Sequence, residues 1–249
     1  MNVRKFLRKL MPPAFWLAVW AVAASLIDQE LLLPAPVSVI RRFAFVAEAP
    51  FWHSVAMSLW RTGAAYAIGV ALACILALAC HASRIVDELI SPAMSVVRAT
   101  PVASFIILAL VWLSSGNVPI LAGVLMVVPV VFANVREGLT AIDPKLLEMG
   151  RMFGWSRRKV LRRIAIPSVL PTFVAACESC VGLCFKATIA AEVIGVPKNA
   201  IGTQLYTSKI YLEHDALFAW TLVVIILSML LEKLLKHAFE RGLRRGHHH

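Results

Sequence analysis

Three ionisable residues interrupt an apolar stretch in the last third of the chain. Glu178, Lys186 and Glu192 lie within residues 169–194, a stretch long enough to cross a bilayer. Charged groups at such depth are costly and usually face a bundle interior or a water-filled cavity. Glu178 and Lys186 can share one helix face, but a rise of about 12 Å rules out a direct ion pair.

Two roles are open for Lys186. It could line a route for an anionic solute, or it could pair with a carboxylate or with backbone carbonyls of another helix. Glu192, near the outer end of the same stretch, is a candidate to cap or gate the outer mouth.

Cysteine and histidine positions give no catalytic or metal-binding constellation. Cys177, Cys180 and Cys184 fall on one helix face, but no histidine or further cysteine completes a metal shell. We therefore interpret them as small residues at a seam between helices. A Gly-x-x-x-x-Gly-Lys-Ser/Thr motif is also missing from the sequence, so ATP and magnesium would have to be bound by a partner. The sequence predicts neither an enzyme nor a chain with its own metal or cofactor.

Composition indicates an all-α integral membrane protein. The 249 residues are 60% hydrophobic and 16% charged, with a mean hydropathy of +0.78. A spanning helix needs about 20 apolar residues. Six stretches meet that requirement, namely 12–32, 57–80, 97–114, 118–135, 169–194 and 215–236. They predict a single transmembrane domain over 12–245, with a short tail at 1–11 and a purification-tag remnant at 246–249.

Basic residues predict the orientation of these spans. With both termini in the cytoplasm, 19 of the 25 lysines and arginines fall in cytoplasmic segments, as the positive-inside rule requires. An alternative for the first span is a cleaved signal peptide ending at Ala21-Val22-Ala23. Trp16, Trp20 and the apolar run through Leu33 favour a retained anchor.

A polar island at residues 143–171 separates two apolar blocks. Asp143 suits an N-cap, followed by Pro144 at the first helical position, and Gly154 stands where a left-handed C-cap residue belongs. Ser156 can cap a second helix, which we expect Pro167 to terminate. The predicted unit is a short helix, a tight turn and a second helix outside the bilayer.

The register of this island resembles the EAA loop of permease subunits in binding-protein-dependent ABC importers. Glu148, Arg151, Gly154, Ile164 and Pro167 carry the resemblance, although Met149 and Gly150 replace the two alanines of the family pattern. The resemblance implies that the short helix is a coupling helix that contacts an ATPase. The residues implied in this contact are Lys145, Leu146, Leu147, Glu148, Met149, Gly150, Arg151, Phe153, Gly154, Ile164 and Pro167.

Four further motifs resemble the nitrate/sulfonate/taurine-type branch of these permeases. They are LPxPxxV from Leu33, SLxRTxxAY over 58–66, ATPVASF over 99–105 and AAEVIG over 190–195. The resemblance implies a type I importer fold in a bacterial inner membrane, without nucleic-acid binding. The implied partners are ABC ATPase subunits, a second permease subunit forming a homodimer, an extracytoplasmic binding protein and membrane lipids.

Two questions stay open from the sequence. The implied cargo is a small anion or a heterocycle such as a thiamine precursor. A different mechanism, a secondary transporter or channel driven by an ion gradient, would show internal inverted repeats, which we do not find in the sequence.

Overall fold

A computed structural model describes residues 3–30 and 32–246, with side chains described over 11–30 and 32–241. The side chains of the basic N-terminal tail and the terminal histidines therefore lie outside the described residues. All regular elements within these ranges are helical. Their bounds are α1 Val3–Ile27, α2 Pro36–Arg42, α3 Ala49–Ala82, α4 Arg84–Ala99, α5 Val102–Ala109, α6 Val118–Thr140, α7 Pro144–Met152, α8 Arg157–Val160, α9 Ile166–Gly195, α10 Ile201–Ile210 and α11 His214–Gly246, with a 3-10 turn at Phe43–Ala47 and a π-turn at Leu161–Ala165.

Helices α3, α6 and α9 form the centre of the bundle. Glycines allow this close packing: a Cβ on Gly69 would meet Val127, and one on Gly123 would meet Ala65 and Cys184. Small residues are typical of such seams because, in lipid, helices associate through close van der Waals contact. Cys177, Cys180 and Cys184 are buried free thiols in this bundle, as the sequence predicted for residues at a helix seam.

Aromatic side chains hold one end of the bundle together, where α3 and α11 begin. The Trp220 ring of α11 stacks on Phe45 of the 3-10 turn and on Phe51 of α3, with ring centroids 4.9 and 5.1 Å apart. Arg42 adds an ion pair to Glu213 at 2.5 Å. These contacts fix the segment between α1 and α3 against the start of α11.

Four described helices are long and apolar enough to cross a membrane, and a bent pair brings the number to five. The four correspond to the spans expected at 57–80, 118–135, 169–194 and 215–236. The apolar part of α1, Met11–Ile27, is shorter than a full span. The structure therefore supports a multi-pass protein with four or five strong spans.

The span expected at 97–114 is a bent pair of helices and not one straight helix. Helices α4 and α5 meet at a 100° bend on either side of Thr100 and Pro101. Proline disfavours a helical conformation in the residue before it, and Thr100 accordingly has an extended backbone with ψ 129°. The apolar run is therefore divided between the end of α4 and the whole of α5.

Candidate coupling loop and solute path

Helix α7 begins and ends where local capping rules predict. The Asp143 carboxylate accepts a hydrogen bond of 2.9 Å from the Lys145 backbone N–H, and Pro144 fills the first helical position. Gly154 follows the helix with φ +64°, a left-handed conformation that glycine adopts without steric cost. The prediction of a short capped helix in the polar island is confirmed.

Packing of α7 against the next helix makes the loop a single unit. The main chain of Gly150 is buried, and a Cβ there would lie 3.4 Å from Val160 and 3.5 Å from Ile164. The Trp155 N–H donates to the Gly150 carbonyl at 2.9 Å. Ile164 is 4% exposed. Gly150 and Ile164, two positions of the EAA resemblance, thus join α7 to the π-turn.

Pro167 does not terminate the second helix, and that expectation is wrong. The helix is continuous from Arg157 to Gly195, and the π-turn Leu161–Ala165 ends two residues before Pro167. A π-turn shifts the hydrogen-bond register by one residue. This shift accommodates a residue that lacks a backbone N–H and whose ring would clash with the carbonyl four positions earlier. Motion at α7 can therefore pass directly into the spanning helix α9.

The outward surface of the loop is apolar as well as charged. Met152 is 88% and Phe153 72% exposed, and Leu146 and Met149 are exposed by about 40%. Lys145, Glu148 and Arg151 are also exposed, whereas Leu147 is half-buried. Large apolar side chains outside the spans are unusual on a free surface, so this face has the composition of a protein contact.

Lys186 lies on a face of α9 that the described residues leave open. From residue 175 onward, exposed positions recur every three or four residues, which is the spacing of a single helix face. They are Ala175, Ser179, Leu183, Lys186, Ala190 and Ile194. Glu178 is half-buried beside this face.

Glu192 lies in the interior of the bundle and not at an open mouth. Its carboxylate is fully buried and accepts hydrogen bonds from Ser58 Oγ at 2.7 Å and Arg61 Nη1 at 3.0 Å. The Gly202 backbone N–H donates to it at 3.2 Å. In this structure the candidate gate residue is an internal tether between α9, α3 and α10.

Comparison with known proteins identifies the family. A family model described as "Binding-protein-dependent transport system inner membrane component" matches residues 69–245. This chain belongs to that family. Its members are permeases of ABC transporters and are not themselves enzymes.

Individual relatives match this permease along almost its whole length. The putative aliphatic sulfonates transport permease protein SsuC of Escherichia coli is 29% identical over 238 residues, covering 93% of this chain and 89% of the relative. The formylaminopyrimidine transport permease protein ThiX of Halalkalibacterium halodurans is 21% identical over 234 residues, covering 92% of each.

Solved structures confirm the type I importer fold. An amino acid ABC transporter chain superimposes with a TM-score of 0.65 at 22% identity, covering 78% of this permease and 94% of that chain. An inward-facing MetNI methionine ABC transporter chain gives a TM-score of 0.57 at 17% identity, covering 78% and 93%.

Two of the branch motifs meet in the structure of the permease. Ser58 and Arg61, from the SLxRTxxAY motif, both contact Glu192 of the AAEVIG motif. Arg61 also donates to the carbonyls of Lys198 and Asn199, at 3.0 and 3.3 Å. The sequence placed Arg61 in one motif and Glu192 in another, but no spacing pattern relates residues 131 positions apart.

Two further charged residues make contacts that no sequence pattern indicates. Arg98 donates at 3.1 Å to the carbonyl of Pro129, halfway along α6. It lines a 440 Å³ cleft between α4 and α6, whose other charged lining residues are Arg136 and Glu137. Glu232 of α11 lies so close to Gly182 of α9 that a Cβ there would overlap its carboxylate. Glu232 therefore packs against α9 between Glu178 and Lys186 and is a third ionisable residue on this part of the helix.

Proposed function

We propose that this chain is the transmembrane subunit of an ATP-driven importer and supplies the solute path but no catalytic residue. Two copies would form the path, two ABC ATPase subunits would bind ATP and magnesium and contact the inner loops, and an extracytoplasmic binding protein would deliver the solute. The observation that carries this proposal is α7, a capped helix with an exposed apolar face that packs onto a helix continuous with α9.

Each part of the loop would have its own role in the contact with the ATPase. Leu146, Met149, Met152 and Phe153 would enter a groove of the ATPase, and Lys145 and Glu148 would make its polar contacts. ATP binding can shift the permease between conformations only if the ATPase dimer fits one of them better. The junction between Gly150 and Ile164 would pass the shift to α9.

The contacts of α4 and α5 favour six membrane crossings, with both termini in the cytoplasm of a bacterial inner membrane. Asp87 pairs with Arg136 at 2.6 Å near the end of α6, and Arg98 reaches Pro129 at its middle. Helix α5 then packs near Val118, at the start of α6. The bent pair thus follows α6 along its length and would cross as a broken span, with α1 as the sixth.

The proposed solute is a small anion, such as a sulfonate, taurine, nitrate or bicarbonate, with a heterocycle such as a thiamine precursor as the alternative. Relatives named for sulfonates and for formylaminopyrimidine represent these two classes. Lys186 on the open face of α9 and Arg98 in the α4–α6 cleft favour the anion, because a cation in a water-poor path attracts negative charge more strongly than in water. The open face of α9 would face the path and the second copy.

Co-purification tests the partnership. An untagged ATPase encoded beside this chain should co-purify with the tagged permease, and Met152→Glu should reduce its recovery strongly because it places a charge in the apolar contact. Ala82→Glu adds the same charge to the exposed end of α3 and should leave recovery unchanged. Solute uptake by the permease without any ATPase would contradict the proposal and favour a secondary transporter.

A further inference from the structure

Two cavities at one end of the bundle form a continuous groove. One, of 280 Å³, lies between α3, α6 and the start of α9, and the other, of 800 Å³, extends from it toward α7. Both are lined by Leu78, Leu139, Leu161 and Ala165, so the first opens into the second. Sites that hold small ligands usually have volumes of about 300–1,000 Å³. The groove is therefore large enough for a sizeable part of a ligand.

The half of the groove along α9 is lined by hydrocarbon side chains and one thiol. Its walls include Val135 of α6, with Val169, Leu170 and Phe173 of α9, and the thiol is Cys74 of α3. Among the described residues, no charged side chain lines this half. A surface of this kind among membrane spans matches an acyl chain and offers nothing to a hydrated anion.

The half of the groove beside α7 is basic. Arg151 and Arg157 line it together with His81, and its described lining contains no carboxylate. Neither arginine has a carboxylate within 4 Å among the ion pairs of the described residues. Guanidinium groups bind phosphate oxygens through paired hydrogen bonds. Trp155, also in the lining, is a residue type enriched at the membrane–water interface.

We propose that this groove binds one anionic phospholipid of the cytoplasmic leaflet. An acyl chain would lie along Val169 and Phe173, and the phosphate would meet Arg151 and Arg157. Basic pockets between spans on the cytoplasmic side are known to take anionic head groups. The order of the two halves matches a lipid in that leaflet, because the apolar half runs along the spans and the basic half adjoins the polar loop. The proposal uses the orientation proposed above, but it does not depend on solute transport.

Such a lipid would have a mechanical consequence. Leu161 and Ala165, which line both halves of the groove, belong to the π-turn that joins α8 to α9. A bound phospholipid would therefore brace the junction between the loop and the spanning helix.

Lipid retention measured by native mass spectrometry tests the proposal. The full chain, taken from nanodiscs of phosphatidylcholine and phosphatidylglycerol into mild detergent, should retain one phosphatidylglycerol per chain in preference to phosphatidylcholine. Arg157→Gln should lower this retention about fivefold, because it removes one of the two guanidinium groups that would bind the phosphate in the groove. Arg158→Gln removes the same charge from an exposed neighbour that does not line the groove, and retention should stay unchanged.

A second variant tests the apolar half. Ala165→Phe fills the groove where its halves join, and it should reduce phosphatidylglycerol retention while the protein stays monodisperse. If this variant does not fold, the comparison of Arg157→Gln with Arg158→Gln is sufficient to test the proposal. Equal retention of the two lipids by the unaltered chain, or equal losses in the two arginine variants, would overturn the proposal. Because no ATPase is present, a chain that holds the lipid but fails to recruit an ATPase refutes only the proposed function.

Discussion

At the scale of single residues, the ionisable groups within the spans divide into one enclosed network and several open positions. Glu192 has hydrogen-bond donors from Ser58, Arg61 and Gly202, whereas Lys186 is exposed. The sequence identified both residues because a charge in an apolar stretch is visible without a structure. It could not separate their roles, since that depends on which distant side chains reach them.

Breaking the enclosed network should destabilise the permease. Glu192→Gln keeps the shape of the side chain but leaves the Arg61 guanidinium, whose side chain is 7% exposed, without its counter-charge. Removal of one partner from a buried ion pair costs about 3–5 kcal/mol. We expect a clear fall in the thermal unfolding midpoint of the purified protein, followed by tryptophan fluorescence.

An exposed ion pair provides the control for this prediction. Arg84 and Glu88 are 3.0 Å apart, with 91% and 65% of their side chains exposed, so Glu88→Gln should change the midpoint little. Replacing both Arg61 and Glu192 by methionine should recover part of the loss, because no unpaired charge then remains. Equal thermal unfolding midpoints for Glu192→Gln and Glu88→Gln would contradict the stabilising role of the Glu192 contacts.

Lys186→Met separates a path residue from a structural one. The substitution keeps the length of the side chain and removes its charge, so a path role predicts a stable complex that hydrolyses ATP but takes up an anionic solute poorly. Uptake into proteoliposomes, with a sulfonate as the probe, measures this. Lys209→Met, at an exposed position on α10, is the matched control. Unchanged uptake by a stable Lys186→Met protein would show that Lys186 has no role in the path. A loss of stability would show that its role is structural.

At the scale of elements, predictions were right where the signal is local. Asp143, Ser156 and Gly154 cap their helices as expected, because a cap depends on a few neighbouring residues. The prediction failed at Pro167, which lies within a continuous helix, whereas Pro101 marks a 100° bend. Whether a proline bends a helix or is accommodated within it depends on the hydrogen-bond register and packing around it.

Gly154→Val should uncouple the loop. A β-branched residue at φ +64° carries a cost of about 1–2 kcal/mol, which the chain can relieve by changing the angle between α7 and α8. ATPase recovery or ATP-driven uptake should fall while the permease still inserts into the membrane. Gly116→Val is the matched control, because a Cβ at either glycine meets no atom within 4 Å and only Gly154 has a positive φ. Equal uptake by the two variants would count against the coupling role.

At the scale of the whole molecule, composition was enough to predict a multi-pass helical protein, and the charge distribution predicted its orientation. Neither could show how the spans are built. The structure divides one span between α4 and α5, and it leaves one face of α9 open along its length. A broken span depends on contacts between α4 and the middle of α6, such as that of Arg98 with Pro129, which are absent from any local pattern.

Cysteine labelling tests the orientation that both the six-span proposal and the lipid site require. In a background without the native cysteines, Ser114→Cys, in the exposed turn between α5 and α6, should react with a membrane-impermeant maleimide added to intact spheroplasts. Arg158→Cys, in the polar loop, should react only after permeabilisation.

The two labels together decide between the possible arrangements. The loop between α5 and α6 and the polar loop lie at opposite ends of α6, so a spanning α6 requires them to react from opposite sides. Reaction of both cysteines from outside would show that α6 does not cross the membrane. Labelling of Arg158→Cys from outside and of Ser114→Cys only after permeabilisation would show that the permease has the opposite orientation, with the basic groove in the outer leaflet. N-terminal sequencing of the same protein tests α1: a mature chain that begins after Ala23 would establish a cleaved leader and leave five crossings. A chain that keeps residues 1–23, with Ser114→Cys outside and Arg158→Cys inside, is the result we expect, because it places 19 of the 25 basic residues on the cytoplasmic side.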